Sequence, residues 1–230
     1  MTPLVTVVIP VLADADAVTR LLAQLPDTPT VEIVVVDGAA DPLLGPIVAA
    51  HSRARLRHAG VGRGRQMNLG AGDAAGEWLW FLHADTVVPA GWLPAFEGLE
   101  AHVTGGWFEF ALDDAAWQAR LIERLVRWRT RYLRLPYGDQ GIFVRRAHFR
   151  RLRGFREWPL LEDVDFARRL ARSGPVAGLS LPLTTSARRW RRDGWFRRSA
   201  LNIAIVALYF AGVSPARLAG WYDRSPRRAA

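Results

Sequence analysis

Acidic side chains follow two apolar stretches that are typical of buried strands. Asp37 comes directly after residues 31–36, and Asp85 comes shortly after residues 77–82. A carboxylate accepts hydrogen bonds from nucleobase N–H groups and ribose hydroxyls, and it ligates Mg²⁺ or Mn²⁺, which bridge phosphates. Either aspartate alone is equally well explained as a turn or helix cap. Their shared position at the ends of two strands favours one nucleotide diphosphate site.

A glycine-rich segment, residues 60–68, lies between these aspartates and precedes a predicted helix. It carries Arg63 and Arg65, and guanidinium groups beside a helix start make a plausible anion cradle. The segment lacks the Gly-Lys-Ser/Thr of a P-loop. The first strand ends in Pro10 without the Gly-x-Gly turn of dinucleotide-binding folds. A phosphate site of another type is therefore predicted.

A third acidic group, Glu162, Asp163 and Asp165, opens a predicted helix in the second half of the chain. Carboxylates at a helix start satisfy free N–H groups and the helix dipole, which is one explanation for this cluster. The other explanation is that one of them is a general base aimed into a cleft. The residues alone leave both explanations open.

Composition limits the classes of ligand and partner. The chain has no cysteine, so disulfides and thiolate metal sites are excluded and a metal must be held by oxygen or imidazole. The net charge is +9, and all basic residues are arginine. This charge favours an anionic partner such as a nucleotide diphosphate or a phospholipid surface. No nucleic-acid recognition motif is present, so we predict no nucleic-acid partner.

Targeting signals are not evident in the sequence. The first residues have no basic region followed by an apolar stretch, and the longest apolar candidate, residues 200–213, is interrupted by Asn202. The sequence predicts a cytoplasmic protein. Peripheral contact with the inner face of a membrane is the alternative. The predicted helix near residues 114–134 carries an aromatic stripe with arginines along another face, and the one near residues 196–211 is apolar on nearly all sides.

Strand and helix patterns alternate through the first half of the chain. Four such repeats in about 100 residues predict an α/β fold with an open, doubly wound, mostly parallel sheet of the Rossmann-like kind. Residues 105–112 look like an antiparallel strand, and residues 162–172 like a helix. We expect one domain over residues 1–195 and a helical C-terminal appendage over residues 196–230.

Five short segments carry a resemblance to a known family. They are Val-Val-Ile-Pro at 7–10, Glu-Ile-Val-Val-Val-Asp-Gly at 32–38, Arg-Gln-Met-Asn-Leu-Gly-Ala at 65–71, Leu-His-Ala-Asp-Thr at 82–86 and Glu-Asp-Val-Asp-Phe at 162–166. In order and spacing the chain resembles family 2 glycosyltransferases of the GT-A fold. Segments 83–85, 137–141 and 186–190 are similar to a small bacterial subgroup described beside radical-SAM proteins.

The resemblance implies an inverting, hexosyltransferase-type enzyme that uses Mn²⁺ or Mg²⁺ and a nucleotide-sugar donor. Its acceptor stays undefined, with a lipid-linked acceptor as one alternative. Asp85 takes the place of the metal-binding carboxylate, whereas His83 replaces the first aspartate of the family's Asp-x-Asp motif. An imidazole is able to ligate Mn²⁺ or to contact ribose. The remaining donor-site residues implied by the resemblance are Pro10, Asp37, Gly38, Arg65 and Asn68.

The resemblance also implies the catalytic and acceptor residues. Asp163, with Glu162 beside it, is the implied base that deprotonates the acceptor hydroxyl. Contact with the acceptor, the donor sugar or the diphosphate is implied for Asp139, Gln140, Arg188, Arg189 and Trp190. The glutamine of the processive Gln-x-x-Arg-Trp element is missing, so no processivity is inferred. The rivals are a non-catalytic nucleotide-sugar-binding module and a nucleotidyltransferase on the same fold.

Overall fold

The computed structural model describes residues 2–223, where the chain forms one sheet of seven strands flanked by helices. The strands are β1 (Val5–Val11), β2 (Val31–Asp37), β3 (Ala54–His58), β4 (Trp78–Phe81), β5 (Gly105–Leu112), β6 (Phe143–Arg145) and β7 (Val176–Thr185). The helices are α1 (Ala15–Leu22), α2 (Leu44–Ala49), α3 (Arg63–Gly72), α4 (Trp92–Glu97), α5 (Trp117–Leu133), α6 (Arg146–Arg151), α7 (Glu162–Ser173), α8 (Arg188–Asp193), α9 (Trp195–Phe210) and α10 (Pro215–Asp223).

The strands lie in the order β3-β2-β1-β4-β6-β5-β7. The pairs β2–β3, β1–β2, β1–β4 and β5–β7 are parallel, whereas β6 pairs antiparallel with both β4 and β5. The predicted α/β class with a mostly parallel sheet is therefore confirmed. The carboxyl ends of the parallel strands meet at one edge, where ligands bind in open sheets of this kind.

Both faces of the sheet are covered, which explains why its central strands are apolar at nearly every position. Val7 and Ile9 of β1 face one core cluster together with Val18 of α1. Val8 faces the opposite cluster together with Met67 of α3. The alternation follows from the two-residue period of a strand, so a single run of β-branched residues supplies both cores.

Helix α3 is held unusually close to the sheet. A Cβ on Gly70 would lie 2.5 Å from Val8 Cγ1, so only glycine permits this approach. The amide nitrogen of the buried Gln66 side chain donates to the carbonyls of Val11 and Val36, each at 2.8 Å, and so ties α3 to the ends of β1 and β2. The first residue of α3, Arg63, is thereby fixed at the carboxyl edge of the sheet.

Three features of the second half differ from the sequence-based expectation. The strand that runs against the others is β6, since β5 runs parallel to β7 and to the central strands. Strand β7 was not expected, because Gly178, Ser180 and Pro182 interrupt its apolar pattern and its edge position leaves it partly exposed. The arginine-rich stretch before α9 forms the short helix α8.

The C-terminal helices pack on the rest of the chain. Ile205 and Val206 of α9 and Leu218 of α10 share a core cluster with Leu161 and Val164 at the start of α7. Residues 224–230 of the predicted appendage lie outside the described residues, and the domain division at residue 195 stays a prediction. No helix within residues 2–223 is both long enough and apolar enough to cross a membrane.

Candidate active site

A cleft of about 150 Å³ opens where the carboxyl edge of the sheet meets α7, α8 and the C-terminal helices. It collects side chains from segments that are far apart in the sequence. The residues that line it are Arg63, His83, Asp85, Tyr137, Asp139, Leu160, Leu161, Asp163, Val164, Thr185, Ser186, Arg189, Trp190, Arg198, Asn202, Ile205, Val206 and Tyr222. The cleft thus combines acidic residues from three segments with arginines from three helices.

Arg63 occupies the centre of the charge arrangement. Its Nε lies 2.8 Å from Glu162 Oε1, and Glu162 is only 1% exposed. The other carboxylate oxygen of Glu162 is buried and has no hydrogen-bond partner among residues 2–223. Burial raises the pKa of Glu162 and Asp163 adds to that rise, while Arg63 lowers it. Burial lowers the pKa of Arg63, yet Glu162, Asp163 and Asp139 outweigh it and hold that pKa above its usual value.

The two arginines of the glycine-rich segment, Arg63 and Arg65, point to different sides of α3. Arg63 lines the cleft, whereas the exposed Arg65 pairs with Glu157 at 3.1 Å on the outer surface. Residues two positions apart on a helix point in directions about 200° apart, so only one of them faces the site. The sequence-based assignment named Arg65; the structure brings Arg63 to the cleft instead.

Asp163 is fixed by two backbone amides. Its Oδ2 accepts from Gly138 N at 2.6 Å, and its Oδ1 accepts from Val164 N at 2.8 Å. A Cβ on Gly138 would lie 3.1 Å from both Asp163 Oδ2 and His83 Nε2, so a side chain at this position would crowd both groups. The carboxylate therefore has a set orientation at the wall of the cleft and keeps lone pairs for a further donor.

The short turn Gly138–Gln140 holds Asp139 in the cleft. Arg129 of α5 secures this turn by donating to Gln140 Oε1 at 3.0 Å and by covering the Tyr137 ring at 3.5 Å. Asp139 Oδ1 is buried and accepts no hydrogen bond from the part of the chain that the structure describes. Burial, aided by the negative charge of Asp163, raises the pKa of Asp139 to about 6 against the opposing effect of Arg129 and Arg63.

His83 and Asp85 follow β4 and offer donor atoms for a cation. Burial and the positive charge of Arg63 lower the pKa of His83 to about 4, although Asp85 and Asp163 oppose the shift. The imidazole is neutral at physiological pH, the form that binds metals. Asp85 makes no hydrogen bond or ion pair with any side chain among the described residues.

No group of three or more His, Asp or Glu side chains within residues 2–223 is arranged to hold a metal by itself. A free carboxylate and a neutral imidazole are suitable ligands for Mn²⁺, and phosphate oxygens from a donor would complete its coordination. The residues therefore fit a metal that is shared with a bound diphosphate. They do not fit a metal site built by the protein alone.

Helices α8 and α9 supply the remaining cations. Arg189 and Arg198 line the cleft with Arg63. Burial lowers the pKa of Arg189, and repulsion from Arg63 adds to that effect, while Asp85 opposes it. Trp190 packs against Phe110 and donates to Ser199 Oγ at 3.2 Å. Arg188 lies outside this cleft and lines an adjacent cavity of about 210 Å³, which shares Asp85 with the first.

Other residues implied by the resemblance have structural partners. Asp37 is fully buried and accepts from the amides of Ala39 and Asp41 at 2.8 and 2.6 Å, so it shapes the turn after β2 that contains Gly38. The Asn68 amide exchanges two hydrogen bonds with the backbone of Phe155. These side chains hold the strand ends and the loop before α7 in position.

Two further residues implied by the resemblance lie beside the cleft. Pro10 lines a small cavity of about 10 Å³ next to Asp163. Gln140 is buried and donates through Nε2 to Phe108 O at 3.3 Å, so it supports the turn that carries Asp139.

Sequence reasoning missed the contribution of the C-terminal helices. Arg198, Asn202 and Tyr222 come from α9 and α10 and line the cleft, with Arg198 covering the Tyr222 ring at 4.7 Å. The polar Arg198 and Asn202, four residues apart, share one side of α9. That spacing was the available signal for a polar cleft beneath α9.

Comparisons with known proteins bear on the family and the fold. The family model described as Glycosyl transferase family 2 matches residues 6–155. The mannosyltransferase PcManGT from Pyrobaculum calidifontis, solved with GDP-Man and Mn²⁺, is 17% identical with a TM-score of 0.64, over 96% of this chain and 70% of that one. TarS 1-349 from S. aureus, solved with UDP-GlcNAc, is 16% identical with a TM-score of 0.58, over 79% of this chain and 58% of that one. No curated protein matches the chain.

The raised pKa of Asp139 predicts a pH-dependent cost to folding. The folded chain holds this proton up to about pH 6, whereas an unfolded aspartate releases it near about pH 4. Ionisation of Asp139 therefore costs stability as the pH rises through this window. We expect the unfolding free energy of Asp139→Asn, relative to wild type, to rise by up to about 3 kcal/mol between pH 4 and pH 7.

Urea denaturation at each pH measures this difference. Asp16→Asn, at an exposed position of α1, controls for the removal of one carboxylate. If the difference in unfolding free energy between Asp139→Asn and wild type did not change with pH over this range, the raised pKa of Asp139 would be contradicted.

Proposed function

The chain belongs to glycosyl transferase family 2, and we propose from that premise that it moves a sugar from a nucleotide-diphosphate sugar to an acceptor hydroxyl with inversion at the anomeric carbon. One observation carries the proposal. Arg63 and Arg189 line the same cleft as the carboxylates of Asp85 and Asp163. Cations that could bind a diphosphate are therefore close to a carboxylate that could accept a proton. That combination suits displacement of a diphosphate by an alcohol.

Arg63 and Arg189 are the proposed diphosphate ligands. Their guanidinium forks match phosphate oxygens, and partial burial in the cleft strengthens the attraction. GDP-Man and UDP-GlcNAc in the similar structures support a nucleotide-sugar donor in general, without specifying the base or the sugar here. The roles of Arg65 and Asn68 at the donor stay predictions, as does the nucleoside pocket at Pro10, Asp37 and Gly38.

Asp163 is the proposed general base. Its carboxylate accepts the proton of the acceptor hydroxyl as the acceptor oxygen attacks the anomeric carbon. The bond from that carbon to the diphosphate oxygen breaks, and its electron pair leaves with the diphosphate. One displacement of this kind inverts the anomeric centre. The two amides that hold Asp163 orient it, whereas Glu162 is occupied by its ion pair with Arg63.

The leaving diphosphate gains negative charge as the bond breaks, and Arg63 and Arg189 offset that charge from fixed positions. Asp85 and His83 are the proposed ligands of a divalent cation. Mn²⁺ or Mg²⁺, when bound, would supply further charge neutralisation to the diphosphate. Asp139 lies next to Asp163 in the cleft wall, where its elevated pKa makes it a candidate to contact an acceptor or sugar hydroxyl.

Asp163→Asn is expected to keep donor binding and to lower turnover by about 10²-fold or more, the usual scale for a lost general base. The amide side chain retains an oxygen for the Gly138 amide but cannot accept the acceptor proton. Turnover is measured as nucleoside diphosphate release from a donor that stabilises the wild type in a thermal-shift screen. Asp16→Asn is the matched control. Turnover within a few-fold of wild type would assign the base elsewhere, with Asp139 next to test.

Asp85→Asn is expected to abolish the Mn²⁺-dependent part of donor binding and to leave the metal-independent part in place. The amide lacks the charge and the second anionic oxygen that a hard cation prefers. Calorimetric titration of the donor, with and without Mn²⁺, separates the two parts. An Mn²⁺ enhancement equal to that of the wild type would remove Asp85 from the metal site.

A further inference from the structure

A largely exposed aromatic stripe runs along the outer face of α5. Its largest members recur at helical spacing, and the Trp128 and Tyr132 rings lie 5.7 Å apart. The exposed fractions are 64% for Trp117, 56% for Leu125, 56% for Trp128 and 64% for Tyr132. Burial of these side chains against a partner would remove much apolar surface from water.

Arginines flank this aromatic stripe on the same helix. Arg120 and Arg127 are neutralised by Glu123 and Glu109. Arg124, Arg131 and Arg134 are exposed and have no carboxylate partner within residues 2–223. The single acidic residue of α5, Glu123, is buried, so the outer face of this helix carries positive charge without acidic side chains.

A second apolar stripe continues the first along α9. The exposed side chains on this face are Phe196, Ala200, Ile203, Ala207 and Phe210. The Trp117 and Phe196 ring centroids are 5.8 Å apart, so the two stripes join at the starts of α5 and α9. Helix α9 contains no acidic residue. Together the two stripes, with the arginines of α5, form a surface that we call the α5–α9 face.

The opposite side of α9 lines the active-site cleft. Arg198, Asn202 and Ile205 are cleft residues, while Phe196, Ile203 and Phe210 are exposed on the other side of the same helix. One helix, about 10 Å thick, therefore separates the cleft from the α5–α9 face. Any partner of this face lies beside the place where the acceptor must enter.

We propose that the α5–α9 face docks on the surface of a bilayer that contains anionic lipids. Tryptophan and tyrosine suit the boundary between acyl chains and headgroups, and unpaired arginines are attracted to lipid phosphates. A second copy of this chain would bring the arginines of two positive faces together, which makes a bilayer the better complement. On the proposed function, this docking selects acceptors that are carried on lipids.

The docking is tested by sedimentation of the full chain with vesicles of phosphatidylglycerol and phosphatidylcholine, against vesicles of phosphatidylcholine alone. We expect binding to the anionic vesicles that weakens with salt. Arg124→Glu with Arg131→Glu, and separately Trp128→Ser with Tyr132→Ser, are each expected to reduce binding by at least tenfold. Because all four positions are exposed, both variants should keep the wild-type circular dichroism and thermal midpoint.

Matched controls make the same charge change, or remove exposed apolar side chains, elsewhere on the surface. Arg150→Glu with Arg151→Glu on α6 reproduces the charge change, and Leu12→Ser with Leu43→Ser removes two exposed apolar side chains. Both controls are expected to bind anionic vesicles like the wild type. If the control variants lost as much vesicle binding as the α5 variants, the attraction would not be specific to the α5–α9 face, and the proposal would be overturned. Wild-type protein that stays in the supernatant at low salt would overturn it as well.

Sedimentation velocity without lipid tests the rival occupant. A wild-type dimer that becomes monomeric in the Trp128→Ser and Tyr132→Ser variant would assign the α5–α9 face to a second copy and overturn the docking proposal. Nucleotide-sugar binding, followed by calorimetry, is expected to be unchanged in the face variants. Loss of vesicle binding with intact nucleotide-sugar binding would thus refute the docking alone. Vesicle binding by a wild-type protein that binds no nucleotide-sugar would refute the proposed function alone.

Discussion

The ion pair between Arg63 and Glu162 joins the two halves of the active site. A carboxylate as buried as Glu162 is costly to ionise without a partner, and Arg63 is the cation that lies against it. Arg63 is at the start of α3, which Gly70 and Gln66 hold tightly against the central strands. Glu162 opens α7, the helix that also presents Asp163. The pair therefore sets the distance between the phosphate-binding and proton-accepting parts of the cleft.

The same pair explains the electrostatics around it. Glu162 is paired with Arg63. The neighbouring Asp163 is therefore the carboxylate of this helix start that is held in one orientation and faces the cleft. Asp139 is buried in the same wall, where burial and the charge of Asp163 outweigh Arg129 and Arg63 and raise its pKa to about 6. His83 loses its proton for the complementary reason, since it is buried beside Arg63. Neighbouring groups with pKa values pushed in opposite directions are typical of sites that move protons.

Much of the architecture could be predicted from the sequence because its signals are local. The β-branched runs specify β1 and β2, and their two-residue alternation serves both faces of the sheet. Strand β7 escaped prediction because its edge position permits polar residues and proline. The antiparallel course of β6 was also not predicted, since strand direction depends on pairing partners far along the chain.

The site residues follow from the sequence to a smaller extent. Asp85 and Asp163 were identified because strand ends and helix starts are recognisable from the sequence; both line the cleft, and their roles there stay predictions. The choice between Arg63 and Arg65 depends on which residue begins α3, and a glycine-rich segment does not define that residue. Asp37 and Asn68 bond to backbone groups whose positions only the fold determines. The cleft wall made by α9 depends on how that helix packs.

The central claim is that Arg63 serves both the fold and the diphosphate. A double-mutant cycle of Arg63→Met and Glu162→Gln, with unfolding free energy and nucleoside diphosphate affinity measured on each protein, tests it directly. Arg63→Met should lose about 1–3 kcal/mol of stability, because it leaves the buried carboxylate of Glu162 unpaired. It should also bind the nucleoside diphosphate at least tenfold more weakly. Adding Glu162→Gln should restore most of the stability and none of the affinity. Unchanged affinity in Arg63→Met, or its recovery in the double variant, would contradict the account.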